Sequence, residues 1–190
     1  MKPYDFFVMF LAFVYSLGLT HLLFAATRMI RHRRRVTFSW PHALWMLSAL
    51  CLMFNNWLSL WDLHTLGSLS LGTITLGFVT VMIQYAICAL VSPDLESDDD
   101  FDLRRFHDRE GPTYLSAFLL ITLLALGMNL AAASQLGVQS WAGQNGIVIA
   151  MIVPIVAALL VKTRWVQTVA ALTMLVLQLA YPIIYYQSLG

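Results

Sequence analysis

Between Tyr4 and Thr27 the chain carries one charged side chain, Asp5, and five more stretches of similar apolarity follow. A helix needs about 20 mostly apolar residues to cross the roughly 30 Å hydrocarbon core of a bilayer. The runs at residues 4–27, 40–61, 69–91, 113–133, 145–161 and 165–186 meet that length or, for 145–161, approach it. None alternates apolar with polar residues, so membrane strands are set aside. The expected fold is all-α: one polytopic membrane domain over residues 1–190, a bundle of six transmembrane helices. Composition argues against the water-soluble alternatives. Charged residues make up 11% of the chain and hydrophobic ones 59%, whereas a soluble domain carries about 25% charged residues. So few charges cannot cover a water-facing surface, which disfavours a soluble enzyme, a nucleic-acid binder and a disordered segment.

Orientation follows from the basic residues. Arg28, Arg31, Arg33, Arg34 and Arg35 follow the first span, Arg104, Arg105 and Arg109 the third, and Lys162 and Arg164 the fifth. Of the 11 basic residues only Lys2 falls on the other side. N-terminus and C-terminus are both expected to be non-cytoplasmic, with three cytoplasmic loops, in a bacterial inner membrane. The basic cluster comes after the first apolar run, the arrangement of a reverse signal anchor rather than a cleavable signal. Trp40, Trp45, Trp57, Trp61, Trp141, Trp165, Tyr181, Tyr185 and Tyr186 crowd the span ends and read as headgroup anchors. Short connections at 65–68, 134–144 and 162–164 predict adjacent, antiparallel helices.

The long cytoplasmic loop at 92–112 is acidic at first, in Asp94, Glu96, Asp98, Asp99, Asp100 and Asp102. It lacks the glycine and terminal glutamate of a calcium loop and reads as a solvated segment. Its mixed-charge second half predicts a short amphipathic helix with Leu103 and Phe106 inserted into the inner leaflet.

Polar side chains at membrane depth mark packing contacts or function. Counted from the helix ends, Asn55, Asn56, Asn129 and Gln178 share one outer-half layer, and His21, His42 and Gln84 share a level nearer the cytoplasm. His21 and His42 lie on consecutive spans and are expected as neighbours. Thr73, Gly77, Thr80, Gln84 and Cys88 share one face of the third span, a stripe of the kind that packs against another helix. Pro154 is expected to bend the fifth span.

No Asp, Glu, Lys or Arg falls within the hydrocarbon region, which removes carboxylate-driven ion coupling and voltage sensing. No catalytic triad, phosphate loop or zinc spacing appears, and an enzyme is not expected. The leading functional expectation is an oligomeric channel or facilitator for a small neutral or weakly charged solute. Its polar path would use the outer amides together with His21, His42 and Gln84, and a histidine could gate it with pH. That path requires the side chains neither to face lipid nor to consume one another. The rival is a non-transporting membrane subunit, either an assembly partner or a sensor, that reads its partner through the Arg-rich loop and residues 104–110; a homo-oligomer or a protein partner is expected in either case. A third reading places b-type haem or a metal ion between His21 and His42. Arg31, Arg33, Arg34, Arg35, Arg104 and Arg105 are expected to meet anionic lipid headgroups or a partner under every reading.

Overall fold

The computed structural model describes residues 3–60, 70–94, 100–136 and 145–186. The expected span limits at Trp61 and Leu69, the connections at 65–68 and 134–144 apart from its first residues, Trp141, and Glu96, Asp98 and Asp99 lie outside these described residues. Among the described residues there are six helices: α1 (Pro3–Arg31), α2 (Trp40–Ser59), α3 (Leu71–Val91), α4 (Leu103–Leu136), α5 (Gly146–Leu160) and α6 (Arg164–Tyr185). Four stretches within them are long and apolar enough to cross a membrane: Tyr4–Arg31, Leu71–Val91, Leu103–Leu130 and Arg164–Tyr185. α5 has 15 residues and is apolar but shorter. α2 has 20 residues, and His42, Ser48, Asn55 and Asn56 make it the more polar helix.

α2 packs most extensively on α6, α1 on α3, and α5 on α6. α4 lies against α3 and α5, and α2 also meets α3, so α2 to α6 close a ring. α1 stands outside that ring against α3 and only grazes α2. The α1–α3 seam is tight because small residues lie on it. A Cβ on Gly77 would sit 2.5 Å from Cζ of Phe7, and one on Gly18 would sit 3.4 Å from Cys88 Sγ. Phe10 stacks on Phe78 along the same seam, with ring centroids 5.8 Å apart.

α4 begins ten residues earlier than the 113–133 span, at Leu103 rather than Thr113. Asp102 starts it: its Oδ1 accepts from the backbone N–H of Arg104 at 2.8 Å and of Arg105 at 3.4 Å, which satisfies two of the donors a helix start leaves open. Pro112 lies inside the helix without ending it. Its missing N–H leaves one carbonyl, that of Asp108, without its ladder bond, and packing on both sides of the proline outweighs that loss. Leu103 is buried within the protein and Phe106 packs on His42, so this segment covers the end of the bundle instead of dipping into lipid as expected.

Two loops meet at that end. Val36–Thr37 and Phe101–Asp102 form a two-residue parallel pairing, Val36 with Phe101 and Thr37 with Asp102. The N–H of Phe101 donates to Arg35 O at 2.9 Å. The segments carrying Arg31–Arg35 and Arg104–Arg109 therefore lie side by side. Gln167 and His107 tie the α5–α6 link, which holds Lys162, to the same end.

Candidate functional site

Each outer amide bonds another amide side chain, but only Asn55 and Gln178 bond within the expected layer. Asn55 Nδ2 donates to the backbone carbonyl of Gln178 at 2.9 Å and to its Oε1 at 3.2 Å. The first bond has a local cause. Pro182 lies four residues after Gln178, so it cannot supply the N–H that this carbonyl would otherwise accept. A neighbouring helix supplies the donor instead, which is how membrane helices tolerate proline. Asn56 Nδ2 donates to Gln84 Oε1 at 2.9 Å, and Gln84 Nε2 reaches Ala49 O at 3.4 Å and Cys88 Sγ at 3.6 Å. Gln84 thus belongs with Asn56 and not with His21 and His42. Counting from helix ends misplaced it because the ends of α2 and α3 are not level. Asn129 is exposed, and its Nδ2 donates at 2.6 Å to Oδ1 of Asn145, the residue that opens α5.

On α3, Gly77 and Cys88 face α1, as the Phe7 and Gly18 distances show. Thr80 Oγ1 donates back to Leu76 O at 2.9 Å. Thr73 offers its backbone N–H to Ser70 Oγ at 3.1 Å, which caps the helix. Arg31, Arg33, Arg34, Arg35, Arg104 and Arg105 are all exposed, and Arg105 lies 3.7 Å from Asp102.

The structure separates the two histidines expected to be neighbours. His21 is exposed and bonds Tyr85 of α3 through Nε2 at 3.1 Å, because α1 packs on α3 and not on α2. His42 is 0% exposed and lies edge-on to Phe106, with ring centroids 5.1 Å apart. Its histidine neighbour is His107, at 6.4 Å between centroids, and Tyr114 stands at 6.3 Å. The two histidines considered for haem or a metal ion thus have different neighbours, Tyr85 for His21 and Phe106, His107 and Tyr114 for His42. Among the described residues no group of three or more His, Cys, Asp or Glu gathers into a metal site.

His107 and Tyr114 are not among the expected site residues because the segment before Thr113 reads as a separate amphipathic helix on the leaflet, cut off from the 113–133 span that α4 joins to it. The signal was present: Leu103, His107, Gly111 and Tyr114, spaced by four, four and three, continue one helical face into Leu115, Phe118 and Ile121. They form a directed chain of bonds. Gln167 Nε2 donates to Ala158 O at 2.7 Å and Val161 O at 2.6 Å, closing the C-terminal end of α5. Its Oε1, 2.9 Å from His107 Nε2, must accept. That assigns the proton to His107 Nε2 and leaves Nδ1 as the acceptor for the Tyr114 hydroxyl. Trp45, read as a headgroup anchor, is fully buried instead, 5.2 Å from the ring of Phe118. Trp40, Trp57 and Trp165 remain exposed.

Beside this satisfied chain lies an unsatisfied one. Among the described residues, six buried side-chain atoms lack a hydrogen-bond partner: His42 Nδ1 and Nε2, Trp45 Nε1, Ser48 Oγ, Asn55 Oδ1 and Gln178 Nε2. Five belong to α2. At 1.5 Å per residue, His42 to Asn55 covers about 20 Å of helix. At the Asn55 end, a groove of about 340 Å³ lies between α2 and α6, lined by Leu50, Cys51, Phe54, Asn55, Gln178, Leu179 and Pro182. No family model, curated protein or solved structure matches this chain.

Proposed function

We propose that the chain is a six-span integral membrane protein of a bacterial inner membrane, with both ends non-cytoplasmic. In this reading it is a facilitator that passes a small neutral or weakly charged solute along the buried face of α2. One observation carries the reading: the run of buried, unpartnered polar atoms from His42 through Trp45 and Ser48 to Asn55 and Gln178. In hydrocarbon an unpaired polar group costs several kcal/mol. For His42, Trp45 and Ser48 no neighbouring helix supplies a partner, so water or a polar solute is what can satisfy them, whereas the free atoms of Asn55 and Gln178 belong to one amide pair. The amides of Asn56, Gln84 and Asn129 then act as interhelical bonds, and Asn55 and Gln178 do both jobs, each keeping one free atom. No Asp, Glu, Lys or Arg is buried among the described residues, which favours an uncharged cargo. The meeting of the basic loops at one end of the bundle supports the orientation.

Cysteine accessibility tests the reading. In a protein with Cys51 and Cys88 replaced, Ser48→Cys and Asn55→Cys are treated separately with a small, membrane-impermeant thiol reagent, with Leu47→Cys, on the exposed face of α2 and outside the groove, as control. Labelling at 48 and 55 but not at 47 is the expected outcome. A folded protein that labels at neither would end the transport reading. The rival, a non-transporting subunit or sensor, would then stand on the Tyr114–His107–Gln167 chain, which couples the exposed Arg104–Arg109 segment to the α5–α6 corner. A stoichiometric partner lost on replacing Arg31, Arg33, Arg34 and Arg35 would support it.

A further inference from the structure

We infer that the inner part of this strip, His42 with Trp45 and Ser48, is a selectivity site for a small planar amide such as urea, formamide or acetamide. The inference rests on the facilitator reading and names its solute class. Successive members lie three residues apart on one helix, about 4.5 Å each along the axis, and all three are buried with their polar atoms unpartnered. Their chemistry is weighted toward donors: an indole N–H that only donates, a hydroxyl that does both, and a neutral imidazole with one N–H and one bare nitrogen. A carbonyl oxygen can accept from two of these donors at once, and an amide N–H can donate to the bare nitrogen of His42. An amide therefore presents both halves of the complement.

The surrounding walls select for shape. Phe106 stands edge-on to His42 with an interplanar angle of 83°, and Phe118 lies 5.2 Å from Trp45. Tyr114 is a third ring beside His42, at 6.3 Å between centroids, and its hydroxyl is already committed to His107. Flat rings on several sides suit a flat solute better than a flexible polyol. An anion or cation would enter with no counter-charge, since the buried polar residues among those described are all uncharged groups or histidines. His107 is not available as a second selector, because Tyr114 and Gln167 hold both of its nitrogens.

The experiment uses the full chain in liposomes and follows light scattering after osmotic gradients of urea, acetamide or glycerol. The wild-type protein is expected to raise urea and acetamide permeability at least tenfold over empty liposomes, and glycerol permeability far less. Ser48→Ala, which deletes one hydroxyl, should lower amide permeability about fivefold. Phe106→Ala, which opens a wall, should admit glycerol. A size-exclusion profile and thermal melt like those of the wild type establish that each variant is folded, and Ser48→Thr, which keeps the hydroxyl, should retain amide passage if Ser48→Ala does not fold. Glycerol passage equal to that of the amides, or amide passage unchanged in folded Ser48→Ala, overturns the inference. Passage of none of the three solutes overturns it too, and the label at Ser48→Cys then decides the rest. A labelled site leaves a facilitator with another cargo, whereas an unlabelled one removes the facilitator itself.

Discussion

The bond from Asn55 to the Gln178 carbonyl exists because Pro182 leaves that carbonyl open, so the two residues should be coupled in a measurable way. Asn55→Ala removes both bonds that Nδ2 makes, at 2.9 and 3.2 Å. Polar bonds between membrane helices are worth about 0.6–2 kcal/mol each. The substitution also removes the unpartnered Asn55 Oδ1, which offsets part of the loss. A net destabilisation of about 1–3 kcal/mol is expected. Pro182→Ala restores an N–H four residues after Gln178, so the carbonyl regains its helical partner. In that background Asn55→Ala should cost about 1 kcal/mol less, because only the bond to Oε1 still depends on it. Reversible unfolding in mixed micelles, by titrating a denaturing detergent against circular dichroism, measures all four corners of the cycle. A coupling indistinguishable from zero would refute the reasoning, since it would mean that Asn55 does not replace the bond that proline removes.

Gly77→Ala should destabilise by about 1–3 kcal/mol, because its Cβ would meet Phe7 at 2.5 Å; adding Phe7→Leu should recover part of the loss, read by the same detergent titration. Gly127→Ala is the contrast: nothing lies within 4 Å of its Cβ, so it should be neutral or slightly stabilising. Nitrogen-15 NMR of His107, assigned by its loss in His107→Gln, should find Nε2 protonated and Nδ1 bare; the opposite tautomer would break the assignment made through Gln167. Gln167→Leu uncaps Ala158 O and Val161 O and strands the His107 N–H. It should therefore destabilise more than Tyr114→Phe, by about 1 kcal/mol or more, in a thermal or detergent melt.

Residue periodicity carried far into this fold and then failed at particular places. Each expected span contains a helix, because hydropathy summed over twenty residues is a local property that packing does not rewrite. The interhelical use of polar residues was also legible, since an amide at membrane depth needs a partner wherever it sits. The start of α4 was misread because charge dominates residues 103–110, while the buried positions Leu103 and His107 occupy only one narrow face. Gln84 was put at the wrong level because depth was counted from helix ends that turn out to be staggered. A tryptophan near a helix end usually anchors in the headgroups, as the sequence suggests for Trp45; here α4 extends over that end and buries it.

The sequence by itself determined that this chain is helical and apolar, with its basic residues gathered in three segments and its polar side chains kept sparse and uncharged along the apolar runs. Those properties depend on neighbours within one turn or one stretch of chain. Only the tertiary structure decided that His42 meets His107 instead of His21, that Asn55 serves a carbonyl opened by Pro182 on another helix, and that one face of α2 keeps polar atoms without partners. The reason is that partner choice depends on which helix packs against which. Here the small residues Gly18 and Gly77 let α1 settle on α3 and leave α2 to the ring, and no pattern along a single helix specifies that outcome.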